Sequence, residues 1–119
     1  MLPIDFGNLG EKYPQFAPVY RAINTWIDKH PNVRVLDPMR LRSEMRLGGA
    51  DVAGAFATLA ASGKIEARFG VIAPTTKVLA RNYYREIEDI PEVMRDTAEG
   101  CFSTADARIV RIYLGKNAQ

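Results

Sequence analysis

Apolar residues recur at helical spacing in two stretches of this chain and at strand spacing in two others. In the first helical stretch Phe16, Val19, Tyr20, Ile23, Trp26 and Ile27 fall on one face, predicting a helix from about Pro14 to Lys29. Pro18 sits early, where a missing N–H is one of those left unpaired anyway. His30-Pro31-Asn32 ends the helix, because a residue before proline avoids the α region. Trp26 reads as core. In the second stretch Val52, Ala55, Phe56 and Leu59 repeat the spacing, with Asp51 placed to cap the first turn and Gly63 to end the last. Between the two lies a short extended run, Val33–Leu36, and then Asp37-Pro38, an N-cap residue followed by proline at the first helical position. The helix so opened, Pro38–Met45, would partly bury Met39, Leu41 and Met45 and leave Arg40, Arg42 and Arg46 outside. Leu47-Gly48-Gly49-Ala50 is the connecting turn, where glycine permits positive φ. Phe56, Leu59, Ile23, Trp26 and Ile27 are expected to meet in the core.

Past Gly63 the period changes. Ile65, Ala67, Phe69 and Val71 alternate with Lys64, Glu66, Arg68 and Gly70, as in a half-exposed strand. Pro74-Thr75-Thr76 makes a turn and Lys77–Tyr84 reads as the returning strand of a hairpin. The segment beyond is acidic, with Ile87, Ile90, Val93 and Met94 at weak helical spacing interrupted by Pro91. Gly100–Ala105 reads as loop, and Arg108–Leu114 as a last strand beside the hairpin. The chain thus divides into an irregular arm (1–13), a core (14–85), and an acidic segment with a C-terminal strand (86–119) packed on the same domain and ending in a tail.

Asp37-Pro38 opening a helix, the Gly48-Gly49 turn, Val52-x-x-Ala55-Phe56-x-x-Leu59, Gly63 and the hairpin together resemble the winged helix-turn-helix superfamily over residues 37–81. The fold class expected is α+β: three helices, a β-hairpin wing and a C-terminal strand extension. In DNA-binding members of that superfamily the second of the paired helices enters the major groove, where Arg, Lys, Asn or Gln read base edges. Here the outward positions of that helix are Ala53, Gly54, Ala57, Thr58, Ala60 and Ala61, of which Thr58 alone can hydrogen-bond a base. Base reading by this helix is therefore not expected.

Charge sharpens this picture. The net charge of +2 is too small to imply a nucleic acid partner by itself. Taken by segment, residues 34–46 carry Arg34, Arg40, Arg42 and Arg46 against Asp37 and Glu44, and residues 64–81 carry Lys64, Arg68, Lys77 and Arg81 against Glu66. Residues 86–106 reverse the sign, with Glu86, Glu88, Asp89, Glu92, Asp96, Glu99 and Asp106 facing Arg95. Arg108, Arg111 and Lys116 close the chain. One histidine and one cysteine cannot assemble a His/Cys metal set, and Gly48-Gly49 lacks the Lys-Ser/Thr of a phosphate loop. His30 is read as a helix-end or surface residue and Cys101 as a small, partly buried one. No enzyme activity, metal, cofactor or small-molecule substrate is expected. An unpaired cysteine, no long apolar run and an N-terminus unlike a signal peptide point to a cytoplasmic protein.

Two functions fit this pattern. The first is a non-catalytic DNA-associated module, a small regulator or part of a nucleoprotein complex. It would hold the DNA backbone through Arg40, Arg42, Arg46, Lys64, Arg68, Lys77 and Arg81. The alternative is a protein-interaction adaptor or dimerisation module using Ala53, Gly54, Ala57 and Ala61, small residues that let another backbone approach closely. If those basic residues make one continuous face with the wing, the first reading gains; if they are scattered or ion-paired to residues 86–106, the second gains.

Overall fold

The computed structural model describes residues 3–96 and 100–115. Met1 and Leu2 of the expected arm, Glu99 of the acidic run and Lys116 with the rest of the tail lie outside these residues. Besides short 3-10 turns, four α-helices and four strands follow in order among these residues: helices α1 (Leu9–Lys12), α2 (Ala17–Lys29), α3 (Pro38–Met45) and α4 (Gly49–Ala61), then strands β1 (Ile65–Ile72), β2 (Val93–Asp96), β3 (Gly100–Ser103) and β4 (Arg108–Gly115). The protein is therefore α+β. It forms two compact units, one of residues 3–66 with 113–115 and one of Ala67–Ile112, which is inserted between Glu66 and Tyr113 of the first.

In the first unit, α2, α3 and α4 are the three helices that the periodicity predicts. A turn of 3-10 helix, Pro14–Phe16, leads into α2, and Pro18 occupies its first turn. Asp37 caps α3 as expected, its carboxylate accepting from the Met39 N–H at 3.0 Å. The left-handed residue of the α3–α4 turn is not a glycine: Arg46 has φ 54°, whereas Gly48 is extended at φ −71°. The reason is that Arg46 ends α3, and its left-handed backbone lets the Leu47 N–H reach back to the Arg42 carbonyl at 3.0 Å. Nor is Asp51 the cap of α4. Gly48 is, and Asp51 sits inside the first turn, where its charge complements the helix dipole. The far end of α4 follows the expected pattern: Gly63 is left-handed (φ 71°), its N–H bonds the Ala60 carbonyl, and the Lys64 N–H bonds that of Leu59.

Ile23, Trp26, Ile27, Phe56 and Leu59 do meet in one core, each at most 3% exposed, with Leu36, Leu41, Val52 and Ile65 around them. Met39 departs from expectation and is exposed. The arm is not irregular throughout, because α1 forms and Ile4 and Leu9 join this core. Asn24 fastens the arm, accepting from the Ile4 N–H (3.0 Å) and donating to the Ile4 carbonyl (3.2 Å). Leu36 exchanges two backbone hydrogen bonds with Tyr113, at 2.7 and 2.9 Å, so the short extended run does pair, and the Tyr113 ring packs tilted against Phe56 with centres 4.9 Å apart.

The strand pairing corrects the expected hairpin. The partner of β1 in the sheet is β4. Lys77–Tyr84 is not a regular strand; it touches β1 through isolated bridges, Ile72 with Leu79 and Phe69 with Tyr84. Left-handed Lys77 (φ 60°) kinks its start. In the second unit the acidic stretch holds one short 3-10 turn, Ile87–Asp89, before becoming β2. Gly100–Ala105 is not loop: β3 pairs antiparallel with β2, matching Met94 to Phe102 and Arg95 to Cys101. The pairing buries Met94 and Phe102 together with Val71 and Ala73. It also turns Cys101 outward, so that residue is exposed rather than partly buried. No helix among the described residues is long and apolar enough to cross a membrane, and no cluster of His, Cys, Asp and Glu there is suited to a metal ion.

Candidate nucleic-acid interface

Helix α3 presents its basic residues because Leu41 is the position that it buries fully. Arg40, Arg42 and Arg46 are all exposed, but their surroundings differ. Arg40 is committed: its Nε lies 3.3 Å from Glu44 Oε1, one helical turn on, and its guanidinium stands 5.5 Å from the centre of the Trp26 ring. Glu44 is the hub of this corner. It accepts a hydrogen bond from the Trp26 indole N–H, and His30 Nε2 is 3.9 Å from the same carboxylate oxygen. The Trp26 bond is the largest influence on the Glu44 carboxyl and, with the Arg40 guanidinium and His30, holds it below its ordinary pKa although desolvation pushes the other way. His30 caps the end of α2, with Nδ1 2.9 Å from the Trp26 carbonyl, and stacks on the Trp26 ring at 4.3 Å. The corner thus ties α2 to α3, and its residues serve the fold.

Arg42 and Arg46 have no ion-pair partner among the described residues. Arg42 lies back over the first turn of α4, where a β-carbon on Gly49 would stand 3.3 Å from its Nε. It also lines a shallow cleft of about 410 Å³ with Met39, Ser43 and Leu47. Two unpaired guanidinium groups therefore flank the α3–α4 turn beside an open depression. Lys64, also without an ion pair there, is half-buried, with Nζ 3.9 Å from where a β-carbon on Gly7 would be.

The other expected basic residues belong to the second unit. Arg68 is half-buried and donates to the Ala67 carbonyl at 2.8 Å, so it is partly used locally. Lys77 and Arg81 are exposed and make no ion pair among the described residues. Sequence reasoning did not single out Arg95, exposed on β2, or Arg111, whose guanidinium lies 4.6 Å from the centre of the Phe69 ring. The alternation of Ile109 and Arg111 with the more buried Val110 and Ile112 along β4 was the available signal, but its use needed the identity of the neighbouring strand.

The small-residue face of α4 divides in two. Ala53, Ala57 and Ala61 are exposed. Gly54 is not part of a free surface: a β-carbon there would lie 2.3 Å from Phe16 Cζ, so the glycine makes room for an aromatic ring of its own unit. That intramolecular packing, not a partner, accounts for glycine at this position. Thr58, the one residue of the face able to address a base, is occupied as well. Its hydroxyl donates to the Ala55 carbonyl (2.8 Å) and stands 2.6 Å from the Tyr20 hydroxyl. Comparison with family models, with curated proteins and with solved structures gave no match.

Proposed function

We propose that this chain is a non-catalytic winged-helix module that associates with DNA through the phosphate backbone rather than by reading bases with α4. The fold part of the proposal draws on element order. Helix α2, the extended residue Leu36, α3, α4, β1 and finally β4 succeed one another, with β4 paired to β1 and Tyr113 paired to Leu36. In this reading β4 closes the wing, and residues 67–112 are an enlarged wing in place of a simple hairpin.

The observation that carries the DNA reading is the contrast between α3 and α4. Arg42 and Arg46 stand exposed at the α3–α4 turn, without ion pairs among the described residues. The outward face of α4, by contrast, is alanine, with its one hydroxyl already satisfied. Cations without base-reading groups suit contacts that position a protein on DNA without specifying sequence. The test is fluorescence anisotropy on a random-sequence duplex across a salt series. Binding should tighten steeply as salt falls. Arg42→Ala with Arg46→Ala should flatten the log–log slope by about 2, since each phosphate that a cation neutralises adds roughly 0.9 to it. No binding at about 50 mM salt, where counterion release favours it most, would end the proposal.

The adaptor reading keeps one supporting observation, the exposed Ala53, Ala57 and Ala61 stripe. Ala57→Arg separates the two. It should strengthen duplex binding where α4 faces DNA, and should break an assembly in which the stripe is buried, by placing an unpaired charge there.

A further inference from the structure

The second unit carries a groove and a projection of matching chemistry. The groove, about 320 Å³, has an apolar floor of Val78, Leu79 and Met94 and is flanked by the guanidinium-bearing Arg81 and Arg95. Val78 is 61% exposed there. Neither arginine has an ion-pair partner among the described residues. Backbone geometry keeps the groove wall open. The Val78 carbonyl accepts from Ala73 and the Ala80 N–H donates to Val71, so Leu79 between them turns its own N–H and C=O away from β1.

The projection is the 3-10 turn Ile87–Asp89. Ile87 is 54% exposed at its crest, and Glu86, Glu88 and Asp89 around it are exposed and without ion pairs among the described residues. An aliphatic knob ringed by carboxylates is the complement, in polarity and in sign, of an aliphatic hollow edged by guanidinium groups.

We infer that the occupant of this groove is the Glu86–Asp89 turn of a second copy of the chain, in an isologous dimer. Each copy carries both parts, so one two-fold operation forms the contact twice and leaves neither part unfilled. Ile87 enters against Val78 and Met94, while Glu88 and Asp89 meet Arg81 and Arg95. Ile87 and Val78 leave water, and four arginines gain carboxylate partners across the assembly. The ion pairs sit at the rim, so they act on partner choice and respond to salt.

Sedimentation equilibrium of the full chain over a concentration series tests this. The wild type should pass from monomer to dimer with rising concentration, and added salt should weaken the association. Ile87→Asp, and separately Arg81→Glu with Arg95→Glu, should each weaken it about tenfold or more, with unchanged circular dichroism because these side chains are exposed. Mixing the Arg81→Glu/Arg95→Glu chain with a Glu88→Arg/Asp89→Arg chain should restore association as a heterodimer. A labelled peptide of residues 86–92 should bind the wild type and not the Arg81→Glu/Arg95→Glu variant. A wild type that stays monomeric at every accessible concentration would overturn the inference. So would a mixture of the charge-reversed chains that fails to associate, or equal binding of a peptide with the same residues in scrambled order, which would mark the groove as a general acceptor of acidic partners.

Discussion

Replacing Gly54 with alanine tests the internal account of the α4 face, because two effects of known sign oppose each other there. Alanine in a helix interior is favoured over glycine by about 1 kcal/mol. Against this, the new β-carbon would sit 2.3 Å from Phe16 Cζ and 2.6 Å from Cε1, well inside contact distance, so the ring must move by about an ångström or more. Overpacking of this kind costs about 1–3 kcal/mol. Gly54→Ala alone should therefore be neutral to destabilising by roughly 2 kcal/mol. In a Phe16→Ala background the ring is gone, and the same change should stabilise by about 1 kcal/mol. The double-mutant cycle isolates the interaction: urea unfolding of the four proteins, at constant m-value, should give a coupling of about 1–3 kcal/mol. Equal stabilisation by Gly54→Ala in both backgrounds would refute the packing argument and return Gly54 to the free surface.

Three further outcomes follow from named residues. Leu59, fully buried between the helices, should cost about 2–5 kcal/mol on truncation to alanine in the same urea assay; a loss below about 1 kcal/mol would contradict its burial. Arg46→Gly should raise stability by about 0.5–1 kcal/mol, since glycine accepts φ 54° without the β-carbon clash, and should weaken duplex binding in the same protein. Because Trp26, Arg40 and His30 hold the Glu44 carboxyl below its ordinary value of 4.5, the stability Glu44 contributes is fully present above that pH and is lost as pH falls through the lower folded value. Emission from Trp26, the one tryptophan, should shift with a midpoint below 4.5, and Glu44→Gln should remove that shift; a midpoint above 4.5 would reverse the sign of the argument.

What sequence alone determines here is what depends on near neighbours. Helical spacing places Ile23, Trp26, Ile27, Phe56 and Leu59 in the core because each helix must turn one face inward, whatever it meets. Asp37-Pro38 and Gly63 mark helix ends because capping is settled within a few residues. Three matters were left to tertiary structure. Lys77–Tyr84 and Arg108–Leu114 both read as strands, and only folding chooses β4 as the partner of β1, since strand pairing across a long loop has no local signal. The spacing of Ile87, Ile90, Val93 and Met94 is too weak to specify a helix across Pro91, so pairing with Gly100–Ser103 turns its end into a strand. The basic residues look alike in the sequence, yet Arg40 is spent on Glu44 and Trp26 while Arg42 and Arg46 have no ion pair among the described residues. That difference belongs to where α3 lies against α2, because an arginine's role is set by which groups come within a few ångströms of its guanidinium.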